Sequence, residues 1–151
     1  MKDSVTVHID APVEAVWDLV SDVTRIGEFS PETLEAEWLD GHAGPAESAR
    51  FRGRVKRNGK GPTYWSSCRV TECDPLRAFG FAVLVGDKPV NNWRYELTAA
   101  GNGTDVTESF ALEPTVPNRL YWMLLGRWRG KTNREGMRST LERMKAVLER
   151  A

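Results

Sequence analysis

The sequence predicts an α+β fold in which a curved, seven-stranded antiparallel sheet wraps round one long C-terminal helix, with two short helices between strands 1 and 2. Three observations predict it. Apolar residues alternate with polar ones through most of the chain, short turn motifs interrupt this alternation, and the last segment changes to helical spacing. Because an antiparallel sheet with one apolar face needs a cover, we expect the last helix to pack on it.

The first elements are a strand and two short helices. Apolar and polar residues alternate over 4–9, which predicts a half-buried strand. Pro12 suits the first turn of a helix, and apolar residues at helical spacing over 13–20 predict a short amphipathic helix. Asp22 can cap a second short helix that continues to about Phe29.

In the middle of the chain, from Leu34 to Leu112, apolar residues tend to recur at every second position. Glycine, proline, asparagine and aspartate recur at short intervals, so neighbouring strands should pair as an antiparallel meander. The predicted strands are 34–39, 48–57, 63–73, 77–85, 91–99 and 104–112.

Residues 117–151 predict one long helix whose inner face changes character halfway along. The second half of this face is bulky and apolar, whereas the first half contains Gly126, Gly130 and Asn133. Each glycine costs a helix about 1 kcal/mol relative to alanine, so we expect this half to close a cavity. The alternative is that the glycines mark a break between two helices.

Length and composition bound the kind of protein. A chain of 151 residues predicts a single domain over 1–151. The absence of a long apolar run or a signal peptide predicts a cytoplasmic protein without stable membrane association. Cys68 and Cys73 should lie on opposite faces of one strand, and His8 and His42 lack a metal-binding spacing. We therefore expect no metal and no other cofactor.

Charge is distributed unevenly, although the net charge is zero. Acidic residues outnumber basic ones eleven to two over 1–47, and the rest of the chain has the opposite imbalance. We interpret this as internal complementarity. Arg50, Arg52 and Arg54 alternate with apolar residues, which is typical of the solvent-facing side of a strand. Phosphate binding is the alternative, and nucleic acid is not expected as a partner.

Strand parity predicts which side chains face the helix and line an aromatic cavity. The strand 63–73 is ambiguous, because Tyr64, Cys68 and Val70 compete with Trp65 for the inner face. The predicted ligand-binding residues are Phe51, Trp65, Phe79, Phe81, Trp93, Tyr95, Glu108, Phe110, Gly126, Gly130, Asn133 and Met137.

Glu108 is a carboxylate at an apolar position of its strand. Burial would raise its pKa, and together with Tyr95 it could then transfer protons to a ligand carbonyl or hydroxyl. Alternatively, Glu108 is hydrogen-bonded to Tyr95 or Trp93 and only fixes the sheet, or a bulge turns it to solvent. Asn133 could donate to a ligand oxygen or satisfy a loop backbone.

Particular segments resemble a known family. The segment 7–22, VHIDAPVEAVWDLVSD, resembles the opening A-P-x-x-x-V-W-x-x-[VI]-x-D of the START-like or Bet v 1-like superfamily, and more narrowly of bacterial polyketide cyclase/dehydrase-like (SRPBCC) proteins. Residues 29–32 resemble the family's aromatic-S-P-E loop, and 68–72 and 136–145 are also similar. The resemblance spans the chain and implies a helix-grip fold. It implies no catalytic residues, because the superfamily includes cyclases, dehydratases, lipid carriers and hormone receptors.

Three functions are consistent with these observations, in a monomer or a homodimer. The first is binding of a hydrophobic small molecule, lipid- or polyketide-like, and it is favoured because no second acid or base accompanies Glu108. The second is an enzyme, a cyclase or dehydratase that uses Glu108 and Tyr95. The third is a protein-interaction module without a physiological ligand, which would use the surface near Trp122 and Trp128.

Overall fold

The computed structural model describes residues 2–56, 62–113 and 134–150. Strands and helices in these ranges follow the predicted order. A further helix, α2, covers residues 134–149. The other elements are β1 (Lys2–Ile9), α1 (Val13–Ser21), a 3-10 helix (Val23–Glu28), β2 (Thr33–Trp38), β3 (Arg50–Val55), β4 (Tyr64–Asp74), β5 (Ala78–Val85), β6 (Lys88–Ala100) and β7 (Gly103–Leu112).

The seven strands form one sheet in the order β1-β7-β6-β5-β4-β3-β2, and every neighbouring pair is antiparallel. The predicted curved sheet is therefore confirmed. The largest departure from the predicted strand bounds is at β6. This strand begins at Lys88 because the hairpin turn before it is short, with Gly86 at φ +64°. A register shift between Val83 and Leu84 lets the strand include Pro89, which has no N–H to donate.

A second irregularity, in β4, changes which side chains face inward. The pairing of β4 with β5 shifts between Val70 and Glu72. Cys73 consequently lies opposite Phe79, on the same face as Cys68, so the prediction that the cysteines occupy opposite faces is wrong. The alternation of inward and outward side chains continues through a strand only where its pairing with the neighbouring strand is regular. Both thiols are free, and across the three described ranges no cluster of histidine, cysteine and carboxylate side chains is arranged to hold a metal.

The two short helices confirm the prediction for the segment after β1. α1 follows Pro12 and buries Val16 and Leu19. Asp22 caps the 3-10 helix, because its carboxylate accepts the N–H of Thr24 at 3.1 Å. None of the helices in the described part of the chain is both long enough and apolar enough to cross a bilayer.

α2 lies against the inner face of the sheet and runs in the same direction as β1. Arg134 pairs with Asp3 at 2.9 Å, and eleven residues further on Lys145 donates to the carbonyl of His8 at 3.2 Å. The buried side chains of α2 confirm the predicted apolar half: Met137, Leu141, Met144 and Leu148. The other half, with Gly126, Gly130 and Asn133, lies outside the described residues, as do Trp122 and Trp128.

The outer face of the sheet is charged. Arg52 pairs with Glu37 at 2.5 Å and Arg54 pairs with Glu35 at 3.3 Å, and all four side chains are at least one-third exposed. These contacts confirm that the arginines occupy the solvent-facing side of β3. They also join the acidic segment 1–47 to the rest of the chain, as the charge distribution predicted.

Candidate functional site

An aromatic cluster lies on the inner face of the sheet. We call it the aromatic floor and define it as Phe51, Phe79, Phe81, Trp93 and Phe110. The rings of Phe51 and Phe81 meet edge to face at 5.3 Å, and those of Trp93 and Phe110 are tilted at 4.8 Å. The ring of Phe79 lies 6.3 Å from that of Phe81. These contacts confirm the inward orientation that strand parity predicted for all five residues.

The pairing of the strands sets the order of the rings in the aromatic floor. Phe81 lies opposite Trp93, which lies opposite Phe110, so three rings follow one another across β5, β6 and β7. The neighbouring inward-facing row contains Tyr95 and Glu108, which are paired across β6 and β7. A polar pair therefore adjoins an apolar surface that crosses three strands.

Side chains on the inner face become more exposed from the start of β5 towards its end. On β5, Phe79 is 1% exposed, Phe81 is 9% exposed and Val85 is 67% exposed. Trp93 and Leu112 are only partly buried, at the same end of β6 and β7. The described turns of α2 begin near this row, because Arg134 binds Asp3 and Asp3 is opposite Phe110. They extend towards the other end of the sheet.

Beneath α2 the inner face is filled by side chains. Met137 is 1% exposed and belongs to the same buried cluster as Phe79 and Val106. This confirms a packed interface under the second half of the predicted helix. The cavity was predicted under the first half, 117–133, which lies outside the described residues.

Glu108 and Tyr95 form a buried hydrogen bond. The Tyr95 hydroxyl donates to Glu108 Oε2 at 2.9 Å, and Glu108 is 3% exposed. The alternative in which a bulge turns Glu108 to solvent is therefore wrong, and the predicted bond to Tyr95 is confirmed. Glu108 Oε1 is buried and has no hydrogen-bond partner within the part of the chain that the structure describes.

Burial controls the protonation of this pair. Loss of hydration raises the pKa of Glu108 to about 8, although the bond from Tyr95 opposes the shift. Burial and the adjacent carboxyl group raise the pKa of Tyr95 well above its usual value. Near neutral pH most Glu108 side chains are therefore protonated. Because Oε2 accepts the tyrosine hydrogen, the acid proton belongs on Oε1, where it is free to be donated.

Trp65 lies on the other side of the sheet from the aromatic floor. It is opposite Arg54, is 43% exposed, and has the guanidinium of Arg52 at 4.2 Å from its ring centroid. The prediction that Trp65 lines the inner face is wrong. The parity of β4 is set instead by Cys68, which lies opposite Phe51.

Asn91 was not predicted as a site residue, but it faces inward opposite Leu112. Its side-chain oxygen Oδ1 is buried, and no partner for it lies in the described ranges. The adjacent Asn92 obscured the alternation at the start of the strand. The available signal was that Asn91 has the same parity as Trp93 and Tyr95.

β1 begins earlier than predicted and includes Asp3, which faces the helix because it has the same parity as the buried Val5 and Val7. The Asp3 carboxylate is bound to Arg134 and is therefore already neutralised.

An open groove of about 470 Å³ lies near the turn between β4 and β5. Three of its charged side chains bind one another, since Arg94 donates to Glu72 at 2.7 Å and to Glu96 at 2.8 Å. This groove lacks the aromatic surface found on the inner face.

Comparisons with known proteins agree with this architecture. The family model described as "Polyketide cyclase / dehydrase and lipid transport" matches residues 2–149. A Streptomyces cyaneus protein named "Putative polyketide cyclase" is 30% identical over 114 residues, which cover 74% of this chain and 73% of that protein.

Solved structures extend the comparison to the fold. The solution structure of a Polyketide_cyc-like protein from Corynebacterium glutamicum has a TM-score of 0.67 and 30% identity, covering 98% of this chain and 91% of that one. A START superfamily protein from Mycobacterium smegmatis has a TM-score of 0.76 and 17% identity, covering 99% and 97% of the two chains. The second similarity is evidence for the fold alone.

Proposed function

This chain belongs to the polyketide cyclase/dehydrase and lipid transport family, and from that premise we propose that it binds a hydrophobic small molecule, lipid- or polyketide-like, between the sheet and the C-terminal helix. The observation that carries the proposal is the aromatic floor, in which Trp93 is the least buried ring. The floor adjoins Glu108, a neutral carboxylic acid with one unpaired oxygen. Aromatic surface with a few polar groups is typical of small-molecule sites.

The proposed roles follow from the chemistry of the side chains. The aromatic floor removes apolar ligand surface from water, a gain of about 25 cal/mol per Å². Glu108, held by Tyr95, orients a ligand oxygen. Gly126, Gly130 and Asn133 remain proposed contacts, and Met137 forms part of the wall.

Catalysis is the second candidate, and the raised pKa of Glu108 favours it. A carboxyl group with a pKa of about 8 could protonate a departing ligand hydroxyl near neutral pH. A dehydration also needs a base to remove a carbon-bound proton. On the described inner face the other carboxylate, Asp3, is bound to Arg134, so binding is the better-supported function.

Two matched tryptophan variants test the binding site. Trp93→Leu should weaken binding of an uncharged, polarity-sensitive apolar dye about tenfold, because it removes ring surface from the aromatic floor. Trp65→Leu should leave dye affinity unchanged, because Trp65 lies on the outer face. Equal effects of the two variants, or no saturable dye binding to the wild type, would contradict the proposal.

Glu108→Gln separates the carrier from the enzyme. The amide keeps a hydrogen-bond donor, so a carrier should keep nearly all its ligand affinity. An enzyme should keep binding but lose turnover. For an interaction module without a ligand, native mass spectrometry of freshly purified protein should detect no copurified compound.

We further propose that the protein binds its ligand in the bacterial cytoplasm. It would do so as a monomer or homodimer and without a cofactor. Nucleic acid is not a proposed partner, because Arg52 and Arg54 pair with carboxylates of β2 and Arg50 pairs with Asp40 and Asp87. Stable attachment to a membrane is not proposed either.

A further inference from the structure

Two buried polar atoms on the inner face have no partner in the described part of the chain, Glu108 Oε1 and Asn91 Oδ1. Leaving such atoms unpaired costs folding free energy. Among the described residues, two more buried side-chain atoms are unpaired, Nε of Arg50 and Nε of Arg54, whose guanidinium groups form ion pairs on the outer face. Only the first two atoms therefore adjoin the proposed ligand site.

These two atoms lie at opposite ends of an apolar track. Asn91 and Tyr95 are four residues apart on one face of β6, a separation of about 13 Å at the usual rise of a strand. Glu108 lies beside Tyr95 on β7. The rings of Trp93 and Phe110 occupy the space between the two polar positions.

The two ends differ in hydrogen-bonding character. The protonated Glu108 offers a donor at Oε1, because Oε2 already accepts from Tyr95. Asn91 Oδ1 can only accept. A matching ligand therefore presents an acceptor at one end and a donor at the other.

On the premise of the proposed function, we propose that the ligand is an apolar molecule with two polar ends, in which a carbonyl oxygen accepts from Glu108 and a hydroxyl group donates to Asn91. Its apolar middle lies on Trp93 and Phe110. A fatty acid, which has one polar end, leaves Asn91 or Glu108 unpaired. Both atoms are buried, so the side chains that cover them must move before a ligand can reach them.

Four simple biphenyls test this pattern by isothermal titration calorimetry. The probe is a biphenyl with a para acetyl group on one ring and a para hydroxyl group on the other. The controls lack the acetyl group, the hydroxyl group or both. Removing either group should lower the affinity about fivefold to tenfold, the usual contribution of one hydrogen bond.

Variants assign each group to its residue. In Asn91→Leu the hydroxyl group should no longer improve affinity, while the acetyl group still does. In Glu108→Met the reverse is expected. Asn92→Leu, one residue along on the outer face, should preserve the wild-type pattern. Glu108→Gln should also preserve it, since it retains a donor.

The outcomes distinguish this inference from the proposed function. If the unsubstituted biphenyl binds but neither oxygen improves affinity, or if the hydroxyl advantage persists in Asn91→Leu, the two-ended ligand is overturned and hydrophobic binding stands. If neither the biphenyls nor the apolar dye bind, the proposed function fails and this inference fails with it.

Discussion

At the scale of single residues, the environment of Glu108 makes the stability of the protein depend on pH. Its pKa is raised from an ordinary value near 4.5 to about 8 by burial. Between these values the folded state holds a proton that the unfolded state has released. The contribution of Glu108 to the free energy of unfolding is therefore highest below the ordinary pKa and decreases as the pH rises towards about 8.

Glu108→Gln should remove this contribution. Relative to the wild type, the variant should gain stability as the pH rises from about 5 to about 8, by up to roughly 1.4 kcal/mol per pH unit. Urea unfolding at several pH values measures the difference. The control Glu96→Gln, on the outer face of β6, should keep the wild-type pH dependence. A constant difference between Glu108→Gln and the wild type would show that Glu108 ionises normally in the folded protein.

The two cysteines should differ in reactivity. Burial raises the pKa of Cys68 to about 12, and Cys73 is less buried. Because the thiolate is the reactive form, a thiol reagent at mildly alkaline pH should label Cys73 first, and Cys68 only as the protein unfolds. Mass spectrometry of digested protein identifies the labelled site. Preferential labelling of Cys68 in the folded state would contradict the greater burial of Cys68.

Residue assignments from the sequence succeeded where the alternation was uninterrupted. Phe79 and Phe81 were placed correctly because the aromatic residues of β5 share one parity, and Phe110 because β7 has one apolar face. Trp65 was misplaced because aromatic residues occupy both parities at the start of β4. Asn91 was missed because its burial depends on neighbouring strands and not on its own polarity.

At the scale of elements, α2 holds the fold together through its buried face. Leu141 is fully buried, and the adjacent Glu142 is exposed. Leu141→Ala should destabilise the protein by about 2 to 5 kcal/mol, because it leaves a cavity between helix and sheet. Glu142→Ala should change stability by no more than about 0.5 kcal/mol. Chemical denaturation measures both, and a similar small effect of the two variants would argue against the packing of α2.

Element types and order were predictable, whereas local irregularities were not. Turn residues located all seven strands to within a few positions. The shift in β4 that brings Cys73 to the inner face depends on pairing with β5, which a period-two pattern does not reveal. Gly27 shows a similar dependence: a side chain there would collide with the carbonyl of Leu34, so the 3-10 helix can approach β2 only through glycine.

At the scale of the whole molecule, the sheet separates a charged outer face from an aromatic inner face. The sequence predicted this division, because each strand alternates and the last helix supplies the cover. The position of a ligand was harder to predict, since it depends on how far the helix covers the inner face. Burial that decreases from Phe79 to Val85 is visible only in the folded chain.

The central claim is that an apolar molecule binds on the inner face, and the indole N–H signals of Trp93 and Trp65 test it most directly. In a two-dimensional ¹H–¹⁵N NMR titration with the acetyl- and hydroxyl-substituted biphenyl, the Trp93 signal should shift and saturate while the Trp65 signal stays in place. Trp93→Phe and Trp65→Phe assign the two signals. A saturable shift of Trp65 with Trp93 unchanged, or no shift of Trp93 at saturation, would contradict the claim.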